Sequence, residues 1–317
     1  MAVATPQLRS KRQIADRSFQ VLSFLAGALV LVILALIAWT IARKSWLVFD
    51  SEGFKFFTSK RWAPAQDEYG ALSFIYGTIL TSLIALVFAV PVSLGIALFS
   101  TEIARGWLRT ALVYLIDLVA VVPSVVFGLW GLLFLAPKLP GFYDQLHRWF
   151  GSWPIIGPLF GPPGGGRAFL TAGLILAIMI TPIITAIARE VLLTCPQSDR
   201  DGALALGATR WEMITGSVLP HSAGGIVAAV MLGLGRAMGE TIAVALVIGS
   251  SPAITANLFS SGDSLPSVIA FQWGEATTDI KRSALVAMGF VLFLMTIAVN
   301  MIATAIVNRS LKKIRGS

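Results

Sequence analysis

Six stretches of twenty or more predominantly apolar residues divide this 317-residue chain, and they restrict its fold more than any other feature. They cover residues 19–42, 71–101, 110–136, 168–188, 222–250 and 283–308. About 20 apolar residues cross the hydrocarbon layer of a bilayer as a helix. A barrel strand needs only about half that, and no other backbone satisfies its own polar groups in lipid. The expected fold class is therefore all-α, a polytopic membrane protein with six transmembrane helices. Pro91 lies in the second run and Pro182 in the fourth. Each can kink its helix while a neighbouring helix covers the freed carbonyl.

An even number of spans places both tails on one side. Arg9, Lys11, Arg12 and Arg17 precede the first run, and Arg309, Lys312, Lys313 and Arg315 follow the last. The positive-inside rule puts both termini in the cytoplasm. The loops weigh less, because the outer loop 42–70 also holds Arg43, Lys44, Lys55, Lys60 and Arg61. The chain divides into residues 1–70 (tail, first helix and outer loop), a core at 71–308, and a basic cytoplasmic tail at 309–317.

A net charge of +8 raises nucleic acid as a partner, but the cations flank apolar spans instead of forming a stripe, which excludes that class and leaves the lipid bilayer. The first run is longer than a signal peptide's core and no A-x-A site follows, so the helix is expected to stay attached. Cys195 is the sole cysteine, and His147 and His221 fall in loops on opposite faces. Neither a disulfide nor a metal site follows from them. An enzyme would need a nucleophile with a base, or a metal cluster, near one face, and none is in view.

In the outer loops, Trp46, Phe49, Phe54, Phe56, Phe57 and Trp62 read as an interfacial aromatic belt. The run Gly161-Pro-Pro-Gly-Gly-Gly166 lacks a following Lys-Ser or Lys-Thr, and its prolines remove two backbone donors, so it reads as a turn. On the inner side, residues 102–109 only turn the chain. Loop 189–221 is longer. Leu204, Ala205, Ala208 and Trp211 or Glu212 recur at helical spacing, which predicts a short helix with one apolar face between Asp201 and Glu212, ended or bent at Gly207. Its balanced charge suits a protein partner better than a lipid surface.

Arg236 and Glu240 stand alone in the uncharged run 222–250. Ionised groups at that depth mark a pathway or a partner. On a continuous helix they lie about 40° apart, with Ala229, Gly233, Ala243 and Val247 on the same stripe. That small-residue stripe either packs on a helix or borders a passage, while Gly235 and Gly239 suit close packing on an adjacent face. Asp117, in the third run, reads as an acid near a helix start that favours the macrodipole or interfacial water.

Asp201, Gly202, Ala203, Gly207, Leu219 and Pro220 hold the spacing of the cytoplasmic EAA loop of ATP-binding-cassette importer permeases, which they resemble, with Asp201 for Glu, Gly202 for Ala and Ser217 for Ile as departures. Residues 232–241, Leu-Gly-Leu-Gly-Arg-Ala-Met-Gly-Glu-Thr, resemble the fifth-helix signature of phosphate importer permeases. Residues 122–131 resemble the third-helix segment of their PstC-type subunits. The resemblance implies the type I ABC importer permease fold and a coupling helix that docks on a separate ATPase. It implies a second permease of PstA type, two copies of a PstB-type cytoplasmic ATPase and a PstS-type extracytoplasmic phosphate-binding protein, in a bacterial plasma (inner) membrane. No Walker-type loop is present, so ATP and magnesium are expected on the partner ATPase and no cofactor on this chain. A guanidinium fork suits phosphate, with Arg236 as the contact and Glu240 as its resting counter-ion. The alternatives are a static salt bridge, the PstA-type paralogue, another oxyanion or a secondary transporter.

Overall fold

The computed structural model describes the backbone of residues 6–315 and the side chains of residues 16–305. The side chains of Arg9, Lys11 and Arg12, and of the four C-terminal cations, lie outside the described residues. Among the described residues thirteen α-helices and one small hairpin follow in order: α1 (Pro6–Glu52), α2 (Lys55–Thr58), β1 (Trp62–Ala63), β2 (Glu68–Tyr69), α3 (Leu72–Leu98), α4 (Trp107–Val121), α5 (Ser124–Trp130), α6 (Leu139–Phe150), α7 (Phe169–Leu193), α8 (Gln197–Ala205), α9 (Arg210–Met213), α10 (Leu219–Gly239), α11 (Ile242–Val247), α12 (Leu265–Gln272) and α13 (Asp279–Arg315). Among the described residues five helical segments are long and apolar enough to cross a membrane, and six when α4 and α5 are joined as one bent span.

Two spans expected to be continuous are broken. The third bends by 89° between α4 and α5. Pro123 has no N–H to continue the ladder and forces the residue before it out of the helical region, and Val122 is extended at ψ 125°. The fifth breaks after Gly239, where Glu240 is extended at ψ 124°. The Thr241 hydroxyl donates to the Gly239 carbonyl, one of the acceptors orphaned there. The two short helices beyond the breaks pack on each other: a Cβ on Gly128 of α5 would lie 2.8 Å from the Ala243 Cα of α11.

α7 is the centre of the bundle, with Ile175, Ile180, Ile184 and Leu192 fully or almost fully buried, α3 on one side and α10 on another. Pro91 and Pro182 lie inside α3 and α7 without ending either helix. Ser93 donates to the Thr181 carbonyl beside them, tying the two helices. A second cluster joins the end of α1 to α2, α12 and α13 around Phe56, Tyr69, Phe74, Leu265 and Met288. In it the loop aromatics are not mainly a belt: Phe56 is buried, and Trp62 packs edge-on against Tyr69 and Phe74. Only Trp46 and Phe54 remain broadly exposed.

Candidate functional site

Residues 210–239 form one helical rod through α9, a π-turn at Ile214–Val218 and α10. Pro220, at the start of α10, cannot donate and crowds the preceding turn, and the extra residue of a π-turn just before it relieves that mismatch. The rod carries the α8–α9 unit at one end and Arg236 in the last turn at the other, where a cation suits the helix dipole.

Arg236 borders a cavity of about 680 Å³ with Ile183 of α7, Gly224, Ala228 and Gly235 of α10, and Asn300 and Thr304 of α13. It is exposed in this chain and forms no ion pair among the described residues. Glu240 is not its counter-ion here. Because α10 ends before Glu240, the one-face relation of a continuous helix does not hold, and the carboxylate instead accepts from the Ala243 N–H at 3.3 Å in the first turn of α11.

The small-residue stripe also changes role. Ala229, Gly233, Ala243 and Val247 are all buried, and a Cβ on Gly233 would meet the Ile184 side chain at 2.7 Å. The α10 part of the stripe packs against α7 at Gly233, whereas Ala243, beyond the break, packs against Gly128 of α5. Gly235, expected to pack, has open space at its Cβ position and lines the cavity. Asn300 and Thr304 carried no charge and stood in an ordinary apolar run, so nothing but the structure brings them to Arg236's cavity.

The helical unit of loop 189–221 begins earlier than expected. α8 starts after Pro196, holds Asp201, Gly202 and Ala203, and closes in a Schellman motif: Ala208 N–H donates to the Ala203 carbonyl and Gly207 N–H to that of Leu204. Gly207 has φ +87°, the left-handed conformation that such a cap requires. The chain restarts at Thr209, whose N–H donates to Glu212 at 2.7 Å while its hydroxyl accepts from the Glu212 N–H. That backbone hydrogen bond, with one from the Thr209 hydroxyl, fixes the Glu212 carboxylate at the helix start. The expected helix between Asp201 and Glu212 is thus two helices with a glycine corner. Leu206 on the corner is 91% exposed, and Leu204 and Trp211 flank it in the open. Leu219 and Pro220 are half-buried where the unit joins α10.

Asp117 lies ten residues into α4, about 15 Å from its start, beyond the first turn where a macrodipole acts. It is exposed beside Tyr114 and Leu118, with no hydrogen bond or ion pair among the described residues. His147 is tied by Nδ1 to the Phe160 carbonyl at 2.6 Å. No group of His, Cys, Asp and Glu among the described residues could hold a metal ion.

A broken-helix bundle with a glycine-cornered unit beside its spans and an arginine-bordered cavity is the build of a transport component. The chain belongs to the family described as binding-protein-dependent transport system inner membrane component, which it matches over residues 89–316. It is a multi-pass inner-membrane subunit of an ABC importer, not an enzyme. It is 43% identical over 312 residues to the phosphate transport system permease protein PstC of Xylella fastidiosa (strain Temecula1), covering 98% of this chain and 96% of that one. PstC of Pasteurella multocida is 41% identical, with 90% of this chain and 89% of that one covered. In fold it resembles a chain of a bacterial alginate ABC transporter solved with an alginate-bound periplasmic protein, at TM-score 0.62 and 16% identity, covering 95% of this chain and 98% of that chain.

Proposed function

We propose that this chain is a channel-forming permease subunit of an ATP-driven inorganic phosphate importer, with Arg236 contacting the anion in transit. The observation that carries the reading is Arg236 itself: a permanently charged fork without an ion pair among the described residues, bordering a cavity along α10 and α13. The 43% identity to a phosphate permease, spread over 98% of the chain, supports phosphate as the cargo and PstC as the subunit type. Asn300 and Thr304 add neutral hydrogen-bonding groups to the same cavity, and an anion carrying both P–O⁻ and P–OH groups uses donors and acceptors alike. Glu240 shapes the site by capping α11 at the break.

Asp201, Gly202, Ala203, Gly207, Leu219 and Pro220 form the frame that presents Leu204, Leu206 and Trp211 to a cytoplasmic ATPase, which supplies ATP and magnesium chemistry. Two ATPase copies, a PstA-type permease and a phosphate-binding protein complete the importer, with both termini of this chain in the cytoplasm. Asp117, unpartnered on an exposed α4 face, suits the second permease. The test is phosphate uptake by Arg236→Gln in the assembled complex, with sulfate and arsenate as competitors. Lost uptake with intact assembly supports the reading, and normal uptake contradicts it.

A further inference from the structure

One guanidinium crosses between three elements at the cytoplasmic end of the bundle. Arg200 of α8 donates from Nη2 to Glu102 Oε1 at 3.1 Å and to the Leu192 carbonyl at 2.8 Å. Glu102 stands in the π-turn Phe99–Ile103 that closes α3, and Leu192 in the last turn of α7. The two side chains are only 13% and 8% exposed, for Arg200 and Glu102 respectively. The other ion pairs among the described side chains, Arg61 with Glu68 and the sequence neighbours Arg189 and Glu190, each have at least one well-exposed partner. The segment 102–109, read from sequence as a mere turn, thus contributes the acid of a buried pair.

We propose that Glu102 and Arg200 are positioning residues for coupling: their contact carries movement of the α8–α9 unit into the ends of α3 and α7. The proposal rests on the reading that this unit docks an ATPase. Its apolar side chains Met213 and Ile214 pack in one buried cluster with Ala97 of α3 and Leu192 of α7, and that packing sets no single direction of pull. A charge-assisted hydrogen bond has one. A cavity of about 480 Å³ lined by Thr101, Glu102, Arg200, Leu204 and Trp211 lies between the exposed docking face and the end of α3. With that space present, the pair forms the polar crossing there. Arg210 also borders the cavity, so the region holds a second cation, and Glu102 is the acid inside it. The Arg200 Nε is buried without a partner, so this geometry leaves the guanidinium incompletely satisfied and open to an alternative arrangement when the unit shifts.

The experiment uses the complete importer in liposomes with phosphate-loaded binding protein, comparing E102Q, R200Q and the double variant with the unaltered complex. Assembly and ATP hydrolysis are expected to persist, while phosphate imported per ATP falls at least about tenfold in each single variant. The double variant falls no further, because both changes remove one interaction. Cys195, buried beside the pair, is expected to react faster with a maleimide in E102Q. Import per ATP within about twofold of normal in assembled E102Q and R200Q, or multiplicative losses in the double variant, overturns the proposal. Should E102Q fail to assemble, E102D keeps the charge with a shorter reach, and normal coupling there is equally fatal. R236Q and G207V run alongside separate the two claims. If they lose function while the Glu102 and Arg200 variants stay coupled, only the inference fails; if they too are normal, the functional reading fails with it.

Discussion

Gly207 shows how a single backbone angle can set an exposed corner between two helices. Its Cβ position is open, so a larger side chain meets nothing; the cost of replacing it comes from φ +87° alone. A β-branched residue there is expected to cost about 1–2 kcal/mol locally, the left-handed penalty, and to unwind the corner that exposes Leu206. Gly207→Val should therefore weaken capture of the ATPase in a pull-down while leaving the membrane bundle folded. Undiminished capture would show that the corner is not part of the docking surface. Cys195 supplies a test by pH. Burial pushes its thiol up, with the Arg200 charge opposing only in part. The folded chain therefore keeps its proton at a pH where the unfolded chain has released it, so this group's contribution to stability falls as pH rises through the ordinary value of 9.0. Maleimide labelling of the folded importer should be slow at neutral pH and keep rising with pH beyond 9.0, where an unperturbed thiol levels off; rapid labelling at neutral pH would contradict the buried placement. Of these residues, Gly207 was legible because only a few residue types take positive φ. Glu240 was not, because nothing in its neighbourhood announces that the helix stops one residue earlier.

At the scale of elements, the two broken spans differ in how they could be foreseen. Pro123 is a strong breaker in the sequence, yet an 89° bend depends on where α5 finds a partner, and that partner is α11. Pro123→Ala restores a donor and relaxes Val122, so the bend is expected to lose its local cause. The close contact of Gly128 with Ala243 should then loosen, lowering the thermal midpoint of the purified complex and its uptake together. A variant with unchanged midpoint and uptake would show that packing alone sets the angle. The apolar runs themselves were legible because their length is dictated by the thickness of the bilayer. The facing of α10 was not. Ala229 and Gly233 on one side and Gly235 on the other are equally small, and only the position of Ile184 decides which side is packed and which borders a cavity. The division of the 189–221 unit into α8 and α9 is half-visible, since Gly207 signals a stop while the apolar spacing runs on through Ala208 and Trp211, past the Thr209 and Glu212 capping box that restarts the helix.

For the whole molecule, one rod joins the cavity bordered by Arg236 to the exposed α8–α9 corner. From Arg210 to Gly239 the rod is 30 residues, about 45 Å at the helical rise, longer than the hydrocarbon layer. Movement imposed on α9 therefore reaches the cavity at Arg236 without crossing a flexible joint. The rod also packs on α7, whose last turn the Arg200 guanidinium touches, so the bundle centre and the docking unit are linked by two routes. The exposed apolar length of α1 and the exposed face of α4 around Asp117 are large surfaces that this chain does not cover by itself. The central claim, that Arg236 contacts the anion as it crosses, is tested most directly by labelled phosphate uptake into liposomes carrying the complete importer with Arg236→Gln. Uptake should fall by at least about a hundredfold, the equivalent of about 2.7 kcal/mol in the transport barrier, with the complex assembled and ATP hydrolysis retained. Uptake at the unaltered rate in that complex would contradict the account.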